Sequence, residues 1–372
     1  MSKIDLVQGL FFGDEGKGKT VQWLCKSYLD KCTEPIVIRY NGGPQAGHTV
    51  INDSTKHIFS SFGSGTLLGV STLLKKDTFI DPICMFNEYK TLNNPKIFVH
   101  PKCPVITPYD VLANLDDKKN LSDGSCGKGI FKAYNRSKIS IEETLNTPQK
   151  ALSIARSAYP NSSPDIGDYE QLFIESCNSL KENISIHNSN SVLLKHDTHI
   201  YEGAQGLLLD KRYGFMPYCT PSDTFLKYKT DSDDVNFYFV TRLYTTRHGN
   251  GYTPVGEETL ESYMSFNEDT NLNDGAQGRF KKGLFDLRLL RRVIDRTCLD
   301  NFKYEHPKYK FNLVLNHFDC FDSVIPYIDM NGQIDYFYKS RIQNFCLLLS
   351  NFFKFDNYFI GINRTDIEQI YI

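Results

Sequence analysis

The sequence predicts an α/β protein: a mostly parallel central sheet, a P-loop-like strand–loop–helix at the N-terminus, and a helical subdomain at about 105–195 within one domain spanning 1–372. Three observations predict it. Residues 4–12 (IDLVQGLFF) are an apolar run ending at a glycine-rich loop, and residues 20–29 (TVQWLCKSYL) carry a helical pattern behind that loop. Short apolar runs then recur between helix-like stretches, at 36–39 (IVIR), 78–80, 97–100 (IFVH), 192–194 (VLL), 237–241 and 313–315. Such alternation of strand and helix is the pattern of a parallel sheet covered by helices. Finally, residues from about 145 to 200 are rich in Ser and Asn and polar in a helical pattern, which reads as helices with solvated loops.

The loop itself, Gly13-Asp14-Glu15-Gly16-Lys17-Gly18-Lys19-Thr20, satisfies G-x-x-x-x-G-K-[ST]. Glycines let successive N–H groups converge on phosphate oxygens, and the following helix N-terminus adds partial positive charge. On this pattern Lys19 meets the terminal phosphates and Thr20 reaches Mg²⁺. Asp14 and Glu15, however, put two carboxylates where phosphates must come. That is costly unless a metal or a proton transfer uses them, so the loop points to chemistry rather than to simple nucleotide holding.

Further islands of Gly, polar and charged residues mostly follow the apolar runs. Asn41-Gly-Gly-Pro-Gln45-Ala-Gly47-His48-Thr49 places a histidine just beyond a strand, where it can act as a general acid or phosphate donor; alone, a structural histidine reads the same way. Ser125, Cys126, Lys128, Arg136 and Lys138 suit a second phosphate, or equally a solvated turn. Residues 201–210 (YEGAQGLLLD) and 217–223 (PYCTPSD) follow, and Gln205 on a glycine-flanked turn offers a paired donor and acceptor for a base edge. Gly-Ala-Gln-Gly occurs at 203–206 and again at 275–278, and both copies read as loops. Residues 244–251 and 275–283 read as cationic turns, with Arg279 a natural fork for a carboxylate. Asn316-His317-Phe318-Asp319 resembles the N-K-x-D guanine reader, with histidine in place of the lysine.

Composition narrows the class. Over 372 residues the net charge is −2, which gives no electrostatic case for nucleic-acid or membrane binding. The apolar runs are far shorter than a membrane span, and the opening MSKIDLVQGL lacks a signal-peptide build. Ten cysteines without a C-x-x-C pair fit free thiols in a reducing cytoplasm, the expected location.

Taken jointly and in order, these islands resemble the adenylosuccinate synthetase family. The matching segments are GDEGKGK at 13–19, GGPQAGHTV at 42–50, EGAQGLLLD at 202–210, YTTRHGNG at 244–251, GRFKKGLFD at 278–286, NHFD at 316–319 and INRTD at 362–366. The resemblance covers nearly the whole chain. It implies a ligase that joins L-aspartate to C6 of IMP, driven by GTP with Mg²⁺ through a 6-phosphoryl intermediate. By position, Asp14 takes the N1 proton and touches Mg²⁺, His48 acts on the transferring phosphoryl group, Gly47 lends its carbonyl to Mg²⁺, and Lys17 and Gln205 complete the catalytic set. The triphosphate falls to Gly13, Glu15, Gly16, Lys17, Gly18, Lys19 and Thr49, with Lys281 at the ribose and Asp319 and Gly361 at the guanine. Gln45, Ser125, Cys126, Gln205 and Thr220 fall at the monophosphate, and Gly275, Ala276, Gln277 and Arg279 at aspartate. The family's homodimer sends a basic residue to the neighbour's monophosphate, here Arg136 or Lys138.

Departures from the family pattern are Gln45 for asparagine, Cys126 for threonine, His317 for lysine, and Phe359-Ile-Gly361-Ile for the S-T-G-P turn. Two alternatives stand beside this reading, the first kept in view by these departures. One is a phage-type relative that aminates dGMP with ATP or dATP; the other is a P-loop switch or partition NTPase.

Overall fold

The computed structural model describes residues 2–160, 166–230, 234–265 and 278–372. β1 (Lys3–Gly9) and β2 (Pro35–Arg39) precede a hairpin of β3 (His48–Asn52) and β4 (Thr55–Phe59). Next come β5 (Ser71–Leu74), β6 (Ile97–Val99), β7 (Ser185–Ile186), β8 (Thr198–Gly206) and β9 (Val235–Arg242). β10 (Tyr244–His248), β11 (Phe280–Asp286), β12 (Lys310–Asn316), β13 (Val324–Ile328), β14 (Ile334–Tyr338), β15 (Asn357–Gly361) and β16 (Ile367–Ile370) complete the set among the described residues.

Ten of these strands form one sheet in the order β16-β15-β12-β9-β1-β8-β2-β5-β6-β7. Every neighbouring pair in it is parallel except β15 with β16, so the fold is the α/β class that the sequence predicts. β1 lies in the middle, Leu6 opposite Tyr201 of β8 on one side and Phe237 of β9 on the other. Its near-continuous burial is what a strand covered on both faces requires. Helix α1 (Lys17–Leu29) packs Val21, Leu24, Cys25 and Tyr28 against Val7, Val37, Ile200 and Val240, which holds the helix against four parallel strands.

A smaller sheet, β10-β11-β13-β14, flanks the large one. Between β6 and β8 the chain is mainly helical, including Pro108–Asp116, Ile141–Asn146, Pro148–Ala158 and Gly167–Asn183. These helices share a core with the sheet edge, in which Tyr109, Ile141, Leu152, Phe173 and Leu180 pack with Leu74 and Val99.

Three local expectations need correction. Residues 78–80 form no strand and contribute one bridge, Ile80 with Val105. The run at 192–194 closes a short helix, Ser189–Leu193, and the strand comes after it as β8. Residues 203–206 are the end of β8 rather than a loop, while 244–248 and 281–282 lie on β10 and β11 rather than in turns. Glycine and charge at these positions reflect close packing and a site at strand ends, not a turn.

Candidate active site

The carboxyl ends of β1, β2, β8, β9 and β12 meet around a cleft of about 910 Å³. That is where loops of a parallel sheet converge on a ligand. From the expected set, the cleft is lined by Gly13, Asp14, Glu15, Gly16, Lys17, Gly18, Lys19, Gln45, Gly47, His48, Thr49, Ser125, Cys126, Gln205, Thr220 and Asp319.

The loop is braced from beneath. Glu15, 3% exposed, accepts hydrogen bonds from Phe11 N at 2.6 Å and Gly13 N at 3.3 Å. Burial pushes its carboxyl up to about 7 against the pull of Lys17 and those two amides. Asn316 Nδ2 donates to the Glu15 carbonyl at 3.0 Å, and Arg242 Nε donates to the Asp14 carbonyl. Gly9 has to be glycine, since a Cβ there would lie 2.2 Å from Glu15 Oε2 and 2.7 Å from the Gln205 carbonyl.

Asp14 sits above this brace in the left-handed region (φ 53°), its side chain about one-third exposed at 34%. Its Oδ2 lies 3.2 Å from His248 Nε2. Burial opposes its charge, but the hydrogen bond from His248 and the cations Arg242 and Lys17 hold its carboxyl below the usual range. Lys17 is buried, and desolvation lowers its ammonium despite the attraction of Glu15, Asp14 and Glu202.

The two basic residues of the loop part company. Lys19 Nζ donates to the Asn363 carbonyl, and a Cβ on Gly361 would lie 2.4 Å from that Nζ. Lys19 therefore reaches the β15 end of the cleft, and burial lowers its ammonium to about 8. Thr20, fully buried, donates its hydroxyl to the Gly16 carbonyl at 3.1 Å, so the expectation that it reaches Mg²⁺ is corrected.

His48 begins β3. Its Nδ1 is 2.6 Å from Glu202 Oε1, and its Nε2, buried, has no partner among the described residues. Ser64 completes the arrangement, its N donating to Glu202 Oε2 at 3.0 Å and its hydroxyl to Oε1. Despite burial, His48, Arg39 and Ser64 hold the Glu202 carboxyl down at about 2, while burial pushes the His48 imidazole down. A carboxylate at Nδ1 fixes the ring's tautomer and orientation. Protonated, such a ring aims an Nε2–H donor at whatever sits over the loop.

Both polar atoms of Gln45, and Oε1 of Gln205 (φ 62°), are likewise buried without a partner among the described residues. Unpaired buried amides are costly, and two on one cleft wall fit a ligand that supplies their bonds. Ser125 pairs with Asn114 at 3.1 Å, and burial raises the Cys126 thiol. Thr220 is tied to this wall by its N–H, which donates to the Leu209 carbonyl at 2.7 Å.

At the far end, Asp319 is exposed on the rim beside His317. His317 adopts φ 63°, and burial with Arg242, Lys19 and Arg364 nearby pushes its imidazole well down. Gly361 adjoins Lys19 and Asn316 rather than the cleft lining.

Several expected residues lie elsewhere. Arg136 is held by Asp110, its Nε 2.6 Å from Oδ1 with a side chain 3% exposed, and this burial removes it from any crossing role. Lys138 is exposed and does not line the cleft. Lys281 and Arg279 border a separate small hollow with Asn250, and Arg279 pairs with Glu257 at 2.9 Å. Gly275, Ala276 and Gln277 lie outside the described residues.

Sequence reasoning did not single out Glu202, Ser64, Arg242 or His248. A signal existed for Glu202, a lone carboxylate in the otherwise apolar and small IYEGA of a buried strand.

For Mg²⁺, the donors that fit are the accessible Asp14 carboxylate and the carbonyl of Gly47, an exposed residue; both residues line the same cleft and both oxygens are hard donors. The described residues hold no group of three or more His, Cys, Asp or Glu able to cage a metal. One carboxylate and one carbonyl suit an ion that completes its shell with phosphate oxygens and water.

Cleft and sheet together define an α/β enzyme that handles phosphates at the ends of parallel strands. The adenylosuccinate synthetase family model matches residues 6–306, and the chain belongs to that family of C–N bond-forming ligases of purine synthesis. It is 29% identical over 334 residues to the adenylosuccinate synthetase of Pseudomonas fluorescens (strain SBW25), covering 79% of this chain and 75% of that one. To the Borrelia duttonii adenylosuccinate synthetase it is 31% identical over 245 residues, 59% of this chain, and spans 56% of that relative's length. In fold it is similar to the fully ligated adenylosuccinate synthetase from Plasmodium falciparum, with TM-score 0.74, 18% identity and 99% of each chain covered. It is also similar to the cyanophage S-2L succinoaminodeoxyadenylate synthetase bound to dGMP and dATP, with TM-score 0.63, 15% identity, and 100% and 96% covered. Among the described residues no helix is long and apolar enough to cross a membrane.

Proposed function

We propose that this protein joins L-aspartate to C6 of a purine monophosphate, IMP, at the expense of a nucleoside triphosphate. The observation that carries the reading is the His48–Glu202 pair, which presents an Nε2 without a partner among the described residues, beside a phosphate loop that also bears Asp14. The purine C6 oxygen is a poor leaving group. Asp14 removes the N1 proton, so that O6 attacks the γ-phosphorus and the nucleoside diphosphate departs. His48 Nε2–H and Lys17 balance the charge on the moving phosphoryl group. The aspartate amine then attacks C6 and expels phosphate, losing its proton as the C–N bond forms. Gln205 and Gln45 hold the purine edge. The Asp14 carboxylate and the Gly47 carbonyl would hold Mg²⁺, which would supply charge neutralisation for the phosphates. GTP as donor, with Asp319 at its base, and a homodimer belong to the same proposal.

A second reading, dGMP with ATP or dATP, is favoured by one feature: His317 replaces the lysine at the base-reading corner. Asp14 does not oppose it, because guanine also carries an N1–H. The test is a matrix of IMP, GMP, dIMP and dGMP against GTP, ATP and dATP, with aspartate and Mg²⁺, scored for succinylated product. IMP giving the highest kcat/KM supports the first reading, dGMP the second, and no product in any cell overturns both.

A further inference from the structure

We infer that Lys211, braced on Tyr134, is the cation that binds the phosphate of the purine monophosphate from within the same subunit. The inference rests on the proposed function for the existence of that ligand, and goes beyond it in assigning the charge.

A monophosphate carries about two negative charges near neutral pH and needs a cation near its oxygens. Four of the basic residues lining the cleft are engaged elsewhere. Lys17 lies under the loop beside Glu15, and Lys19 is bound to the Asn363 carbonyl. Arg242 holds the Asp14 carbonyl, and Arg247 donates to the carbonyls of Asn250, Tyr252 and Tyr218. Arg136, outside the cleft lining, is buried against Asp110.

Lys211 stands at the other wall. It follows Asp210, whose backbone bridges Thr220, so Lys211 and Thr220 belong to one fold of the chain. Across the cleft, Tyr134 lies eight residues beyond Cys126, on the helix Ile130–Asn135. Lys211 Nζ donates to the Tyr134 hydroxyl at 3.3 Å and sits 5.6 Å over its ring, and both residues line the cleft. The contact joins the Thr220 wall to the Cys126 wall at the place where the two expected monophosphate segments meet. The acid next in sequence does not neutralise this lysine, because Asp210 is committed to Arg212 at 3.1 Å and to the Thr224 amide at 2.8 Å. A surface ammonium steadied by an aromatic ring and one hydroxyl keeps donors for a phosphate.

The test measures monophosphate affinity by calorimetry on the full chain, with IMP and dGMP as probes and the triphosphate as control. Lys211→Ala is expected to weaken the monophosphate about tenfold or more, by the same factor for either probe because the phosphate is common to both. Triphosphate affinity should stay unchanged, and Lys211→Arg should restore most of the loss. Unchanged monophosphate affinity in Lys211→Ala overturns the inference. So does an equal loss for the triphosphate, or a loss that appears in Lys119→Ala or Lys138→Ala instead. A wild-type protein that binds neither monophosphate overturns the proposed function itself, and the inference with it.

Discussion

His48 and Glu202 stand 154 residues apart in sequence, yet their side chains meet at 2.6 Å in the floor of the cleft. Glu202 bonds His48 and does not line the cleft, so in the proposed reaction the two substitutions should differ in kind. His48→Ala removes the donor and should lower kcat by about 10²–10⁴-fold while raising each KM far less. Glu202→Gln keeps an acceptor at Nδ1 but loses the charge that favours the imidazolium, and should lower kcat by a smaller factor. Steady-state kinetics on both variants decide it, and an unchanged kcat in His48→Ala returns the histidine to a structural part.

Asp14→Ala should abolish ligation, by about 10²-fold or more, while triphosphate affinity stays close to wild type. The carboxylate is open to the cleft, and the loop is braced by Glu15, Asn316 and Arg242 rather than by the Asp14 side chain. Wild-type turnover in the variant at neutral pH refutes the proton-transfer role.

Gly9→Ala tests the brace itself. Its methyl would press on Glu15 Oε2 at 2.2 Å and on a backbone carbonyl at 2.7 Å, and the carbonyl cannot swing away like a side-chain tip. Overpacking of this kind costs about 1–3 kcal/mol. Calorimetric unfolding should show a lower Tm, and triphosphate titration a weaker loop. A variant with both properties intact means that β1 and β8 can part more easily than their register suggests.

Much of this was legible in the chain. The strand–loop–helix, the parallel sheet and the cleft-lining segments at 13–19, 45–49 and 205 follow from local pattern, because glycine and polar residues after an apolar run mark the carboxyl ends of strands. Lys19 was not legible. The loop pattern assigns it to phosphates, yet its ammonium lies against Asn363, a contact 344 residues away in sequence. Residues 203–206 misled for a related reason: Gly206 has the Phe11 carbonyl 2.4 Å from where a Cβ would be, so a strand squeezed against its neighbour carries the residues of a turn. Arg136 reads as a free cation within its own segment because its partner, Asp110, lies 26 residues upstream.

Stability should fall as pH rises from about 4 to 6, and Asp5 is one cause. This carboxyl is buried on β1, and burial pushes it up to about 6 even though Tyr28 Oη at 2.5 Å and Asn236 Nδ2 at 2.9 Å donate to it. A raised carboxyl favours the protonated folded form, so its contribution is present at low pH and is lost as pH climbs through the folded value. The two-unit shift corresponds to about 3 kcal/mol. Asp5→Asn should reduce that slope, seen as a smaller difference in urea midpoint between pH 4.5 and 7; the raised Glu15 carboxyl keeps the remainder. An identical slope in wild type and variant means that Asp5 stays charged throughout.

For the donor base, Asp319 can accept from guanine N1 and N2, whereas adenine offers no N1 donor. Leaving a carboxylate unmatched costs about 1–3 kcal/mol when buried, and Asp319 is exposed on the rim, so the low end applies. GTP should exceed ATP by about tenfold in kcat/KM at most, and Asp319→Asn should shrink that ratio. A wild type faster with ATP or dATP shows that Asp319 does not read the base.

The central place of β1 has a consequence for synthesis. Its two neighbours are β8 and β9, so a chain emerging N-terminus first carries an apolar strand with both edges open until Gly206 has left the ribosome and one edge open until Arg242 has. Truncated or stalled products therefore hold an unpaired strand able to recruit other chains, and the phosphate loop is set only when some two-thirds of the polypeptide is already made.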